Sequence, residues 1–468
     1  MSRFALLAIF ALAPAAPAAD PSFSADVAPI LANRCLSCHA GQKARGGYHA
    51  NTFAELLTAG KSGETPVVPG KPENSELYLR LVDPDPAVRM PPDDTPLSPA
   101  EADAVKKWIA AGAKVDGPEK SAPVKSYLPP RVHPAAPDKY PTPLPIFAVA
   151  FAPNGSELAV GGINEVTIWD AKTGTLLRRL PGFPDRIQAL AYSADGKKLL
   201  VGGGTPGEYG EVSIADPAKP GPRKALGVFE DIVLGVAFSA DETAIAAGGA
   251  DRTVRVFAAA DGTERWRAGF HADWVTGVAF SPDGKYVASS SKDRTVKVLE
   301  AGTGKIYTTY NGHRRQFGSH TGQFEVSAVA FDAAGSAYSA GAGNAVRVWE
   351  PEKAHDENGS AIDMEARFAK DGHTKYLDYT SPRPVFALAL AGGKVYTAAG
   401  DGKVREHDPA TKKVTREYPG GTDWLYALAV SAKANRVAAA GFDGKVRVWN
   451  AATGEVVATF AAAPGLPN

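Results

Sequence analysis

The 468-residue chain has only two cysteines, three methionines and no net charge, with 51 basic side chains against 51 acidic ones. Two cysteines exclude a disulfide-stapled scaffold. The charge balance argues against a nucleic-acid binder, because phosphate binding needs a surplus of Lys and Arg. After the first twenty residues no stretch approaches the roughly 18 apolar residues that a spanning helix needs. H-E-x-x-H, P-loop and G-x-S-x-G motifs are all missing. Gly202, Gly204 and Gly207 match G-x-G-x-x-G by letter, but a strand pattern follows instead of a helix, so a dinucleotide site does not fit. Glycine (48) and proline (37) are abundant, which predicts many tight turns and a mostly β chain.

Residues 1–19 have one basic residue (Arg3), an apolar stretch from Phe4 to Ala13, and small residues ending in Ala16-Pro17-Ala18. That is the three-part pattern of a secretory signal peptide, with cleavage expected after Ala18. A membrane anchor is the weaker reading, since the run is short and interrupted by Pro14 and Pro17. The expectation is therefore a periplasmic or otherwise exported protein with no membrane span after cleavage.

Export gives meaning to the cysteines, which in an oxidising compartment would normally pair. They stand together in Cys35-Leu36-Ser37-Cys38-His39, a C-x-x-C-H of the c-type haem attachment kind. Two sulfurs three residues apart near the end of a short helix can reach two vinyl groups on one porphyrin edge. The next side chain, His39, then turns its imidazole to the iron. A thioredoxin-like pair is the competing reading, but it wants a flanking strand–helix pattern and no obligatory His. With both thiols consumed, no disulfide remains possible.

A sixth iron ligand has few candidates. Met90 is the only methionine between Asp20 and Gly117, in Arg89-Met90-Pro91-Pro92, where the prolines restrict the loop. His/Met ligation favours ferrous iron and raises the potential. A core-filling Met90, His49 as ligand, and an open iron position are the alternatives. Phe23, Val27, Ile30 and Leu31 recur at helical spacing before the motif. Ser98-Pro99-Ala100-Glu101 reads as a capping box opening a helix with Val105, Trp108 and Ile109 on one face. Gly112 falls next on that face, which predicts close packing there.

Val27-Ala28-Pro29-Ile30-Leu31, the CLSCH, Val68-Pro69-Gly70-Lys71-Pro72, Arg89-Met90-Pro91-Pro92 and Lys107-Trp108-Ile109 together resemble the planctomycete-type cytochrome c family across residues 22–114. The resemblance implies one covalent haem c, held by Cys35 and Cys38, with His39 and Met90 as axial ligands and single-electron transfer as the activity.

From Gly117 to Pro145 nine of 29 residues are proline, which predicts an extended spacer. One pattern then returns seven times. It opens with alternating apolar runs at Phe147–Phe151, Ile187–Tyr192, Val233–Phe238, Val275–Phe280, Val326–Phe331, Val385–Leu390 and Leu425–Val430. It closes on positions such as Trp169-Asp170, Trp349-Glu350 and Trp449-Asn450. The spacing of about 45 residues is similar to that of WD40 repeats. The resemblance implies a closed seven-bladed propeller, with Ala215 and His407 at degenerate Trp positions and the last blade completed by its own strand, Glu455–Phe460. It also implies that His271, His313 and His373 bond turn residues such as Asp293, Asn344 and Asp401.

The expected architecture is an all-β seven-bladed propeller preceded by a small all-α cytochrome c domain. Its segments are 1–18 signal peptide, 20–117 cytochrome, 118–144 linker and 145–462 propeller. Extra residues at 312–323 and 351–384 precede inner strands of adjacent blades. They make Arg314, Arg315, His320, His373, Lys375 and Tyr376 a candidate docking face, since loops on rigid scaffolds carry binding residues. The functional expectation is an exported electron carrier whose propeller docks a redox partner protein. The alternative is a periplasmic oxidoreductase with a small-molecule pocket on the propeller face and haem c as relay.

Overall fold

The computed structural model describes residues 21–466 except 40–43, 93–95, 118–119, 122–123, 129–130, 222, 318–319, 343–345, 355–374 and 378–382; for 37, 125–126, 314–317, 320–323, 353–354 and 375–376 it describes the backbone alone. The expected signal peptide, His373 and Asn344 therefore lie outside the described residues. The chain divides after Arg131 into two compact units.

The first unit is helical. A π-turn over Phe23–Val27 runs into the helix Ala28–Arg34, and the short turns Leu36–His39 and Phe53–Leu56 follow. The helices Glu76–Val82 and Pro99–Ala110 complete it. Phe23, Val27, Ile30 and Leu31 are buried as their spacing predicts, alongside Phe53, Val105, Trp108 and Ile109. The capping box at Ser98 is formed: its hydroxyl accepts from the Glu101 amide at 3.2 Å, and the Glu101 carboxylate accepts from the Ser98 amide at 2.7 Å. Gly112 corrects an expectation. A Cβ there would meet only the Lys114 side chain, at 3.7 Å, so close packing is not its role. Its φ of +98° ends the helix: its amide bonds the Ile109 carbonyl and the Ala113 amide bonds that of Trp108, the Schellman closure.

The second unit contains seven four-stranded antiparallel sheets, each built from four consecutive strands, plus one two-stranded hairpin. The blades span 149–181, 186–229, 233–268, 275–310, 326–377, 385–418 and 425–461. Among the described residues there are seven apolar clusters in this unit, and each joins two neighbouring blades, the last joining blade 7 to blade 1. Because both faces of each blade meet a neighbour, the middle strands are buried throughout, as in Glu165–Trp169 and Ala244–Gly249. Strand Val456–Ala461 completes the last blade from its own repeat, as expected, so no strand is exchanged between blades 7 and 1. That seam closes by packing, with Phe460 stacked on Trp169 at 4.7 Å.

The tryptophans that close repeats pack seams: Trp349 lies between blades 4 and 5 and Trp449 between blades 6 and 7. His271 bonds Asp293 at 2.7 Å and Ser289 at 2.8 Å, as the repeat pattern implies. In blade 5 the implied partner Asn344 lies outside the described residues. His313 bonds the Ser339 hydroxyl at 2.8 Å and faces the Arg347 guanidinium at 3.2 Å. Burial, then the Arg347 charge, hold the His313 imidazole well below its ordinary range. Asp401 is held by Arg405 at 2.6 Å, four residues on in the next strand. Asp251–Arg255 (2.7 Å) and Asp443–Arg447 (2.6 Å) repeat this pairing.

Asp293 carries a pH prediction. Burial pushes its carboxyl up, but the His271 hydrogen bond and charge, with Thr295 and the Ala272 amide, outweigh it and hold the group far below the usual carboxylate range. A lowered folded value contributes stability above the unfolded value near 3.8, lost as pH falls toward the folded one. Propeller melting temperature should therefore fall below about pH 4. Asp293→Asn should melt lower at pH 7 and show a shallower acid slope in the same scan.

The segment expected to be a spacer contributes to both units. Val124 and Tyr127 are buried in the helical core. His133 is held between the Tyr209 hydroxyl and the Glu211 carboxylate of blade 2, each at 3.2 Å, and Tyr140 donates to Glu165 of blade 1 at 2.8 Å.

Candidate functional site

The cysteine motif is presented by the first helix and fixed by the core beneath it. Phe23 meets Phe53 at 4.8 Å, Tyr127 at 5.1 Å and Trp108 at 5.4 Å. The Ser22 hydroxyl caps the π-turn by accepting from the Ala25 amide. Asp116 ties the same end down, accepting from the hydroxyls of Ser22 and Ser24 at 2.5 and 2.6 Å. Burial pushes the Asp116 carboxyl up, yet these bonds hold it at about 2.

The helix passes through Cys35, whose amide bonds the Leu31 carbonyl at 3.0 Å. A further turn carries Cys38 and His39, whose amides both reach the Cys35 carbonyl, at 3.2 and 3.0 Å. One helical turn thus holds the whole motif. No disulfide joins the two cysteines, and both are half-buried. Burial pushes the Cys35 thiol up to about 12, so it stays protonated at neutral pH.

His39 is oriented from two sides. Its Nδ1 lies 3.2 Å from the Tyr48 carbonyl oxygen, and its ring meets the Tyr48 ring edge-on at 5.4 Å. A carbonyl only accepts, so Nδ1 carries the proton, and in the neutral ring Nε2 keeps its lone pair for a ligand role. Tyr48 is itself anchored, donating its hydroxyl to the Leu56 carbonyl at 2.8 Å. The turn carrying Leu56 is fixed by a second capping box, Thr52 with Glu55. Sequence reading did not pick out Tyr48, because a backbone acceptor leaves no mark in side-chain chemistry.

Met90 lies in the turn after the helix Glu76–Val82. Its amide bonds the Arg80 carbonyl at 2.8 Å, which ties the turn back to that helix. The Asp85 carbonyl accepts from the Val88 and Arg89 amides just before it. The Met90 side chain is half-buried, and Leu79 and Val82 on the preceding helix are 42% and 44% exposed.

The propeller residues expected at a docking face are distributed differently. Arg314 and Arg315 stand on one strand, and His320 on the other, of a separate hairpin between blades 4 and 5. Lys375 and Tyr376 belong to the outer strand of blade 5, opposite Val348 and Arg347, and not to a connecting loop. A groove of about 390 Å³ lies between blades 1 and 2 and reaches Lys433 of blade 7, lined also by Glu157, Arg178, Tyr192 and Asp195. It opens beside the turns joining first to second strands, the edge opposite the one where inner strands begin. Arg178 and Glu157 satisfy each other there at 3.0 and 2.5 Å. Among the described residues there is no cluster of three His, Cys, Asp or Glu side chains that could hold a metal ion, and no helix is long and apolar enough to cross a membrane.

Comparison with known proteins agrees with this division. Residues 35–94 match the family described as Planctomycete cytochrome C, and residues 223–257, 268–299 and 412–450 match the WD domain, G-beta repeat. The chain is also similar, over 57 residues, to the intraflagellar transport protein 122 homologs of Danio rerio (40% identical), Xenopus tropicalis (37%) and Mus musculus (37%). Those matches cover 12% of this chain and 5% of each relative, so the chain spans only about a twentieth of the curated relatives it matches. With the motif turn, the seven sheets and these matches together, the chain has a segment at residues 35–94 that matches planctomycete cytochrome c, followed by a seven-bladed propeller in which three stretches match the WD repeat.

Proposed function

We propose that this is an exported mono-haem c-type cytochrome that passes single electrons, and that its propeller docks the redox partner protein. The observation that carries the reading is the oriented imidazole. His39 is held by Nδ1 on a backbone carbonyl, with Nε2 left for iron, one residue beyond two cysteines on a single helical turn. The donor set suits haem c, which when bound supplies one-electron exchange between ferrous and ferric iron. Cys35 and Cys38 are the only cysteines in the chain, which supports a single covalent attachment. The Tyr48 carbonyl fixes the His39 tautomer and raises its basicity as a ligand. Leu79 and Val82 offer large apolar side chains at i and i+3 beside the Met90 turn, surface suited to covering a macrocycle and excluding water.

Met90 as the second axial ligand is tested by its replacement. Met90→Ala should lower the reduction potential by on the order of 0.1 V or more, within the roughly 0.8 V range that axial ligands span. It should also abolish the far-red sulfur-to-iron absorption band of the ferric protein. Redox titration of the exported protein decides it, and an unchanged potential removes Met90 from the ligand set.

A further inference from the structure

Blades 4 and 7 repeat one local structure and differ in the charge of the residue facing the tryptophan. Asp273-Trp274-Val275 and Asp423-Trp424-Leu425 each lead into an inner strand. In both, the aspartate carboxylate accepts from the tryptophan amide, at 2.7 and 2.8 Å. In both, the tryptophan carbonyl accepts from a residue of the facing turn: Lys292 at 3.0 Å in blade 4, Phe442 at 2.9 Å in blade 7. The registers agree, since Val275 pairs with Ser291 and Leu425 with Gly441, one residue before each. Lys292 and Phe442 therefore occupy equivalent places.

In blade 4 the Lys292 ammonium lies 3.9 Å from the centroid of the Trp274 ring, which is 41% exposed, and occupies one of its faces. In blade 7 the equivalent side chain carries no charge. Trp424 is 46% exposed and Phe442 55%. Among the described residues no Lys or Arg lies over the Trp424 ring or pairs with the Asp423 carboxylate. The aromatic surface also continues across three blades: Phe386 lies 5.6 Å from Trp424, Tyr426 lies 5.2 Å from Phe386, and Phe147 stacks on Tyr426 at 5.1 Å. The Asp423 charge helps to raise the Tyr426 phenol, after burial, which places that carboxylate within electrostatic reach of the platform.

We propose that Trp424 and Asp423 form a docking site for a lysine side chain of a protein partner, which takes the place that Lys292 fills over Trp274. The platform from Phe386 to Phe147 is longer than one ammonium needs, and aromatic surface of this kind suits the residues flanking that lysine. The assignment rests on the docking role proposed above and names its contact.

The test uses the full-length exported protein and a tri-lysine peptide, with the same peptide fully acetylated as control, measured by calorimetry at low salt. The peptide should bind and the acetylated form should not. Trp424→Leu and Asp423→Asn should each weaken binding at least fivefold, and Trp274→Leu should leave it unchanged. Phe442→Lys should weaken it as much while keeping the tryptophan, because it supplies the cation from within. Equal affinity for wild type, Trp424→Leu and Phe442→Lys overturns the proposal, as does equal binding of the acetylated peptide. Choline binding more tightly than the peptide reassigns the site to a small ammonium ligand and also overturns it. Haem content and potential are read on the same samples. If they are intact and the wild type binds no peptide, this assignment falls and the electron-carrier reading stands; missing haem removes that reading alone.

Discussion

The double replacement Cys35→Ala/Cys38→Ala should yield exported protein with no haem that survives denaturation. The whole chain has no other thiol, so no second attachment route exists. Each single replacement should keep one thioether and therefore one vinyl group still conjugated with the ring, which moves the pyridine haemochrome α band to longer wavelength. His39→Ala should retain neither the attachment nor the band. The measurement is haem retention on a denaturing gel together with the haemochrome spectrum. Wild-type protein without covalent haem, or colour retained by the double variant, would end the cytochrome reading. Loss of haem should leave the propeller's own unfolding transition in place, because none of its seven apolar clusters contains a residue of the first unit.

Phe460→Ala should cost about 3–5 kcal/mol, the usual range for removing a buried ring. The side chain is 2% exposed and stacked on Trp169 across the last seam. Gly174 is shaped to that ring: its φ is +69°, and a Cβ there would come within 2.6 Å of Phe460. Between other neighbouring blades the polypeptide itself continues from one sheet to the next, whereas blades 7 and 1 are joined by noncovalent contact, with the Ile146 amide on the Gly441 carbonyl at 3.0 Å beside the packed side chains. The loss should lower the propeller's melting temperature by roughly 5–10 °C. It should also raise amide exchange in Val456–Ala461 above that of the outer strand of blade 3, Glu264–Ala268. Calorimetry and hydrogen exchange check the two parts, and an unchanged exchange pattern would mean that the seam does not depend on this ring.

Much of this was legible in the letters wherever a local rule and the tertiary structure agree. The Ser98 capping box, the helical spacing of Phe23 to Leu31 and the seven returns of an alternating run each follow from backbone chemistry within a few residues. His271 with Asp293 was legible as part of the repeat. What escaped reading depends on contacts that only the folded backbone brings together. Arg405 and Arg447 hold their turn aspartates, and only the folded strand shows that a residue four positions on returns to the turn. Tyr48 acts through its carbonyl, which every residue has. Val124, Tyr127, His133 and Tyr140 stand singly among prolines with no period, so composition suggested a spacer where the chain is pinned down. The hairpin at 314–323 was read as loop, although Gly318-Ser319 between two short polar runs is a turn signal of the Gly-X kind. Gly112 reads in sequence as a close-packing position on the apolar face, whereas the structure uses it for a left-handed backbone at the helix end, since both call for glycine.

The contiguous blades have a consequence for rearrangement of the gene. The Tyr140 amide bonds the Pro464 carbonyl at 3.0 Å, so the start and finish of the propeller's polypeptide touch. A few linking residues could bridge them, and new termini could then be opened in the connection between any two blades. Every such permutant would contain the same seven sheets in the same cyclic order. A whole repeat could likewise be shifted from one end of the coding sequence to the other without breaking a single ladder.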